Sequence, residues 1–261
     1  MHLTFHPADT ATDPHKGTVL VVPGGRYKYV GIDIDGKPST KWLNGIRFDV
    51  YVLEYSCADN SPTPLREKPM GDAKEALDQI RKSPRFHGRL GMWGWSAGGH
   101  LTGIMGTKPD IKLEFLILAY PVITMDDQFT HGPSRHNLLG EAPGLLSTLA
   151  VTPGQEQIDK MSVDKQVTVH TPPTFIFHTA SDKDVPLENS LRFAIAMGKK
   201  KRPFVLHVQK EEAHGVGLNG WQNGLKPWLL DIISKKPIIN STPDVNDWES
   251  ANGYIQNHTF R

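Results

Sequence analysis

Residues 90–101, LGMWGWSAGGHL, hold the strongest structural pattern in the chain. The first four residues are an apolar strand candidate, and the small residues at the end predict a closely packed helix. Between them, residues 94–98 match G-x-S-x-G, in which a serine stands on a sharp strand-to-helix turn with its hydroxyl above the sheet. A plain Gly/Ser turn is the alternative, because this motif is common. Its position between a strand and a helix favours Ser96 as a nucleophile.

Short β-branched runs alternate with helical stretches along the chain, as in a parallel sheet covered by helices on both faces. The strand candidates are residues 18–22, 50–55, 90–94, 115–119, 174–178 and 204–208. The helix candidates, where apolar residues recur at helical spacing, are residues 71–82, 97–106, 187–197 and 224–234. We therefore expect a single doubly wound α/β domain over residues 1–236.

Two regions depart from this alternation. Residues 124–171 contain Gly, Pro, Ser and His but little strand pattern. They predict a small helical insertion or lid, because a structureless loop of that length is rare in a compact domain. Residues 237–261 are polar and carry several asparagines. We expect them to form a C-terminal polar tail that wraps a surface or a neighbouring subunit, or to be disordered.

The composition excludes several classes of function. The 261 residues include 29 basic and 28 acidic side chains, a balance that provides no electrostatic surface for nucleic acid or an anionic membrane. A single cysteine, Cys57, excludes an intramolecular disulfide. The N-terminus shows no leader pattern, and no apolar run approaches the roughly 18 residues of a membrane span, so a cytoplasmic location is expected. The histidines show no metal-ligand spacing such as H-E-x-x-H.

A serine hydroxyl becomes a nucleophile when a base accepts its proton, and the base needs an acceptor on its other nitrogen. His214 follows the last strand candidate and precedes a glycine, which distinguishes it from the other eleven histidines. Asp182 follows the preceding strand candidate, and Asp184 is an alternative two residues later. Asp182 is preferred because residues 185–186 then begin the next helix. An ordinary Asx turn or helix N-cap is the other interpretation of Asp182.

Ester chemistry also requires donors for the tetrahedral oxyanion. The backbone N–H of Ala97, next to the nucleophile, is one candidate. The second candidate is Gly25 or Arg26, in the loop VVPGGRY after the first strand candidate, where glycines let backbone amides face the site. Tyr27 and Trp95 flank these positions and are predicted to contact the substrate, although Trp95 also fits a place in the core.

These motifs resemble those of α/β-hydrolases related to acetyl-xylan and other small-ester esterases, the group labelled BD-FAE or dienelactone-hydrolase-like. That group reads PGGGY where residues 23–27 read PGGRY, and GFSAGGHL where residues 94–101 read GWSAGGHL. The chain order of serine, aspartate and histidine is also that of α/β-hydrolases. The resemblance covers residues 17–234. Further matches are residues 37–43, 119–123, 137–140, 171–175, 178–182 and 212–215.

The resemblance implies an α/β-hydrolase fold and a Ser-His-Asp triad that cleaves a small carboxylic ester through an acyl-enzyme, without cofactor or metal. The implied partner is a small-molecule ester, with acetyl on a sugar or a small metabolite as the first expectation. A lactone or thioester of secondary metabolism is the rival substrate. A non-hydrolytic ligand-binding protein is the rival class, which an intact triad disfavours. No pattern indicates an oligomeric state.

Two positions depart from the related sequences. Arg26 replaces a glycine at the mouth of the expected site, where it either binds a substrate carboxylate or points to solvent. Residues 32–36, IDIDG, place two carboxylates near each other and raise the possibility of calcium. A turn is the favoured interpretation, because the remaining oxygen ligands of a calcium loop are missing.

Overall fold

The computed structural model describes residues 1–8, 16–140, 153–210 and 213–235. Across these residues one sheet runs in the order β1-β3-β2-β4-β5-β6-β7. All neighbouring strands are parallel except β1, which pairs antiparallel with β3 at one edge. The strands are β1 His2–His6, β2 Gly17–Val22, β3 Phe48–Glu54, β4 Leu90–Trp95, β5 Phe115–Ala119, β6 Thr174–Thr179 and β7 Phe204–Gln209.

Helices connect these strands and cover both faces of the sheet. A π-helical turn, Ile32–Gly36, leads directly into the first α-helix. The α-helices are α1 Lys37–Gly45, α2 Lys68–Arg81, α3 Ser96–Thr107, α4 Gly132–Leu139, α5 Gln155–Met161, α6 Val163–Gln166, α7 Glu188–Lys199 and α8 Gln222–Ser234.

The alternation of strand side chains creates one apolar core on each face of the sheet. In β2, Leu20 and Val22 pack with residues of α2, α3 and α7, whereas Val19 and Val21 pack on the other face with residues of α1 and α8. Every residue of β2 is buried, as expected of a parallel strand covered on both sides. Each such aliphatic side chain stabilises the fold by about 1.5–3 kcal/mol.

The predicted doubly wound, mostly parallel sheet is confirmed, and the six strand candidates agree with β2 to β7 within two residues at each end. The edge strand β1 was missed. Its sequence, HLTFH, is short and only partly buried, so it lacks the apolar run that identifies the central strands.

The strand order reverses between β2 and β4, which are neighbours in the sheet although β3 lies between them in sequence. Ligands of open α/β sheets bind in the crevice outside the carboxyl ends of the strands at such a reversal. The loop after β2 and the turn after β4 therefore meet at the expected location of a functional site.

The region predicted as a helical insertion contains α4, α5 and α6 within its described part. Residues 141–152 of that region lie outside the described residues, and a lid function stays a prediction. The predicted tail, residues 237–261, also lies outside them. Among the helices that the structure describes, none combines the length and apolar character needed to cross a membrane.

Candidate active site

Ser96 stands at the junction of β4 and α3 in a strained backbone conformation. Its φ is 51°, in the left-handed region that costs a non-glycine residue of order 1–2 kcal/mol. The glycines on either side of the serine permit this turn, because a side chain at either position would not fit. A Cβ at Gly94 would overlap the Gly98 carbonyl oxygen, and a Cβ at Gly98 would overlap the Val22 carbonyl oxygen. The turn thus has the tight geometry that the G-x-S-x-G pattern predicts.

The three residues proposed for the triad meet at the carboxyl edge of the sheet. His214 Nε2 lies 2.9 Å from Ser96 Oγ, and His214 Nδ1 lies 2.7 Å from Asp182 Oδ2. An ionised carboxylate only accepts hydrogen bonds, so Nδ1 carries the proton that it donates to Asp182. In the neutral imidazole the lone pair of Nε2 then faces the serine hydroxyl. This tautomer can accept the Ser96 proton.

The Asp182 side chain is fully buried and held from both sides. Its Oδ1 accepts the backbone N–H groups of Asp184 at 3.0 Å and Val185 at 2.9 Å. Burial raises the pKa of this carboxyl, but hydrogen bonds from His178 and His214 outweigh burial and place the pKa of Asp182 well below its usual value. The carboxylate is consequently charged wherever the histidine works as a base.

The alternative acid, Asp184, lies at the rim of the site instead. Its Oδ2 is 3.9 Å from the guanidinium of Arg26, and both side chains are about half exposed at 53%. Arg26 is also tied to α4 through its backbone, because its carbonyl accepts the Asn137 side-chain amide at 2.9 Å. The charge of Arg26 is therefore accessible to solvent beside Asp184.

The loop after β2 has the backbone geometry of a donor site. Gly25, Arg26 and Tyr27 have consecutive positive φ values of 134°, 62° and 57°. Gly25 is required there, since a Cβ would overlap the carbonyl oxygen of Tyr29. No group among the described residues accepts a hydrogen bond from the backbone N–H of Gly25 or Arg26. The N–H of Ala97, in the first turn of α3, also lacks an intrahelical acceptor.

Tyr27 and Trp95 take packing positions in place of the predicted substrate contacts. Both are buried, at 0% and 1% exposure. The Met161 carbonyl accepts from His100 Nε2, which leaves His100 Nδ1 to accept the Tyr27 hydroxyl proton at 2.7 Å. Trp95 donates its indole N–H to Ser39 Oγ at 3.0 Å. Their large apolar surfaces are more stable in the core than at the site, which corrects the prediction.

Three further side chains next to the triad were missed as site residues. Burial lowers the pKa of His131, at the start of α4, to about 4, and the charge of His214 contributes. The ring of Tyr120 lies edge-on to the ring of His214, with centroids 4.8 Å apart. Asp35 is buried in the π-helical turn, where the sequence predicted only a turn. The five-residue IDIDG run was the one available signal for Asp35, whereas no spacing marks His131 or Tyr120.

Within the described ranges, no three His, Cys, Asp or Glu side chains are grouped so as to hold a metal ion.

Comparison with known proteins places this geometry in a family. The chain is 31% identical over 235 residues to endo-1,4-beta-xylanase B of Butyrivibrio fibrisolvens, covering 81% of this chain and 35% of that protein. It is 28% identical over 239 residues to an acetylxylan esterase of Xylanibacter ruminicola, covering 86% and 47%. The chain thus spans less than half the length of both relatives.

Solved structures agree with this placement. An acetyl ester-xyloside bifunctional hydrolase from Caldicellulosiruptor lactoaceticus has a TM-score of 0.73 at 31% identity, covering 89% of this chain and 86% of that one. A carboxylesterase from Lactobacillus plantarum has a TM-score of 0.71 at 20% identity, covering 88% and 92%, and shows likeness of fold alone. The model of the prolyl oligopeptidase family matches residues 65–227. The α/β-hydrolase fold that the sequence resemblance predicted is confirmed, and this chain belongs to the prolyl oligopeptidase family.

Proposed function

We propose that this protein is a serine esterase that hydrolyses short acyl esters, with acetyl groups on a sugar as the expected substrate. The observation that carries the proposal is the unbroken hydrogen-bond chain from Asp182 through His214 to Ser96, with distances of 2.7 and 2.9 Å. That chain supplies a nucleophile, a base and an orienting carboxylate in the arrangement that acyl transfer requires.

In the acylation step, His214 Nε2 accepts the proton of Ser96 Oγ while the oxygen attacks the ester carbonyl carbon. The C=O π electrons move to the carbonyl oxygen, which the N–H of Ala97 and that of Gly25 or Arg26 stabilise. Losing one such donor typically costs about 10²–10³-fold in turnover. The imidazolium then donates its proton to the departing alkoxide, and the acyl group stays on Ser96.

In the deacylation step, water takes the place of the alcohol. His214 accepts a proton from the water as its oxygen attacks the acyl carbon, and the collapsing intermediate releases Ser96 and the free acid. The proton returns to the serine, so the cycle balances without a cofactor. Asp182 keeps the imidazole oriented and stabilises its cation in both steps.

The polar rim supports a hydroxyl-bearing alcohol as the leaving group. The half-exposed Arg26 and Asp184 offer a donor set and an acceptor at the opening, and such pairs can bind neighbouring hydroxyls of a sugar. Two relatives are named as an acetylxylan esterase and an acetyl ester-xyloside hydrolase, which agrees with this substrate class. A lactone or thioester would use the same residues, and substrate rates separate these possibilities.

The test is a substrate panel with a matched pair of serine variants. We expect p-nitrophenyl acetate to be cleaved faster than the butyrate and octanoate esters, and acetylated xylose faster than simple lactones or thioesters. Ser96→Ala should lose at least about 10³-fold in kcat, whereas Ser61→Ala, at a surface serine, should retain native activity. Preference for octanoate, or an unchanged Ser96→Ala, would refute the proposal. A proline-containing peptide anilide, included in the panel, measures any peptidase activity.

A further inference from the structure

A buried carboxylate lies behind the loop that carries the candidate oxyanion donors. Asp35 is 7% exposed, and its Oδ2 accepts the N–H of Gly24 at 2.8 Å. Among the described residues no Lys, Arg or His lies within ion-pair distance of it. Because a charge buried without a cation is destabilising by several kcal/mol in general, its presence beside the triad requires an explanation other than stability.

Gly24 connects this carboxylate directly to the nucleophile. A Cβ built on Gly24 would lie 3.1 Å from Asp35 Oδ2 and also 3.1 Å from the Ser96 Cβ. The backbone of Asp35 is linked to the same turn by a second route. Its carbonyl accepts the Ser39 hydroxyl at 2.6 Å, and Ser39 Oγ accepts the indole N–H of Trp95, the residue before Ser96, at 3.0 Å.

Tyr120 lies near both the Asp35 carboxylate and the base. The Tyr120 hydroxyl is buried, and no residue in the described part of the chain lies within hydrogen-bonding distance of it. The ring contacts the imidazole of His214 edge-on. Burial is the main cause of the raised pKa of Tyr120, and the negative charges of Asp35 and Asp182 contribute. The charges of Asp35 and Asp182 therefore both act on Tyr120, whose ring contacts the imidazole, and the charge of His214 acts in turn on Asp35.

We propose that Asp35 is a positioning residue of this site, which holds the oxyanion loop in place through Gly24 and stabilises the protonated form of His214 by its charge. The inference rests on the proposed esterase function and deepens it. The loop contact acts on the oxyanion and the charge acts on the imidazolium. Since both species exist in the transition state, the effect falls on kcat more than on KM.

The positioning role of Asp35 depends on pH, because its carboxyl group ionises. Burial raises the pKa of Asp35 to about 6, against the opposing effects of the Gly24 N–H, the charge of His214 and the Tyr120 hydroxyl. Tyr55, at the end of β3, is a further titratable group that interacts with Asp35, and burial raises the pKa of Tyr55 as well.

Elsewhere on the same turn, Asp33 and Lys37 form an exposed ion pair with each other. Protonation of Asp35 near pH 6 removes its charge, so the contribution of that charge to kcat is lost on the acid side.

The test compares Asp35→Asn with Asp33→Asn across a pH series of kcat and KM. The Asn oxygen can still accept the Gly24 N–H, so Asp35→Asn removes the charge while keeping the loop contact. We expect its kcat to fall roughly three- to tenfold at pH 8 with KM within about twofold. The ratio of native to variant kcat should fall toward one as the pH drops below 6, where Asp35 itself becomes neutral. Asp33→Asn, with the same change of charge at the exposed position, should match the native profile.

A native kcat at pH 8 in Asp35→Asn, or a ratio of native to variant kcat that does not change with pH, would overturn the inference while leaving the esterase function intact. If Asp35→Asn does not fold, the native protein still decides: a side-chain carboxyl carbon of Asp35 that titrates by NMR at the ordinary aspartate value of about 3.9 contradicts a charge that is lost near pH 6. A native protein that hydrolyses no ester refutes the proposed function first, and with it the inference.

Discussion

Replacing Asp182 by asparagine changes the proton on the catalytic base with little change in shape. Two backbone amides, those of Asp184 and Val185, donate to Oδ1 and would fix the asparagine oxygen at that position. The new NH₂ group would then occupy the place of Oδ2 and face Nδ1 of His214. Because that nitrogen must accept, the ring proton moves to Nε2, and the lone pair that should receive the Ser96 proton is lost.

The expected loss follows from this change of tautomer. A triad histidine held in the wrong tautomer by an Asp-to-Asn exchange loses about 10⁴-fold in kcat, or roughly 5 kcal/mol of barrier. The native distance of 2.7 Å between His214 Nδ1 and Asp182 Oδ2 is that of a charge-assisted bond, so the full effect is expected. Exchange of this charge-assisted bond for a neutral one should also destabilise the fold by about 1 kcal/mol.

The assay is the initial rate of p-nitrophenyl acetate hydrolysis at pH 8, with circular dichroism to confirm that the variant is folded. Asp184→Asn is the matched control, because it removes the same charge two residues away at the rim, and its kcat should stay within about threefold of native. A folded Asp182→Asn with less than about a tenfold loss, or a larger loss in Asp184→Asn, would refute the reasoning and make Asp184 the orienting acid.

Three other perturbations have defined outcomes. Gly24→Ala places a Cβ 3.0 Å from the Trp95 carbonyl oxygen and should lower kcat at least about tenfold. Gly31→Ala is the control, because its Cβ makes no contact below 3.4 Å, and its kcat should stay near the native value. Equal kcat values in the two variants would contradict the role of the loop. Gly71 lies inside α2, and a Cβ added there would have no atom within 4 Å. Gly71→Ala should therefore raise the free energy of unfolding, measured by urea titration, by about 0.5–1 kcal/mol. A lower free energy of unfolding would contradict the open space at this position.

The third concerns Asp35, whose pKa of about 6 in the folded state exceeds the unfolded value of about 3.9. The contribution of this raised pKa to stability is full below pH 4 and is lost as the pH rises through 6. Asp35→Asn should therefore be more thermally stable than the native protein at pH 8 but not at pH 4. A variant that is more stable than native at pH 4 and less stable at pH 8 would show that the carboxyl is stabilising when ionised.

The central strands and the serine turn could be predicted because burial on both faces leaves its pattern in the sequence. The strand Leu90–Trp95 reads as an apolar run followed by small residues, and the close packing around Gly94 and Gly98 explains why no larger residue stands there. His214 and Asp182 could be placed at the site because carboxyl ends of parallel strands share one edge of the sheet.

Other features depend on contacts that the local pattern does not encode. Tyr27 stands next to the predicted oxyanion donors, but its hydroxyl bonds to His100, 73 positions away, and this contact draws the ring into the core. Asp33 and Asp35 are equivalent in the sequence run, yet the π-helical turn exposes the first and buries the second against Gly24. Neither hydrophobic periodicity nor motif spacing distinguishes such a pair.

The site and rate of labelling by a fluorophosphonate probe measure the proposed nucleophile most directly. We predict that the native protein is labelled on Ser96 alone, as mapped by peptide mass spectrometry, that Ser96→Ala is not labelled, and that Asp182→Asn is labelled more slowly by orders of magnitude. Labelling at a different residue, or a native protein that resists the probe while Asp182→Asn reacts equally, would contradict a nucleophile activated by His214 and oriented by Asp182.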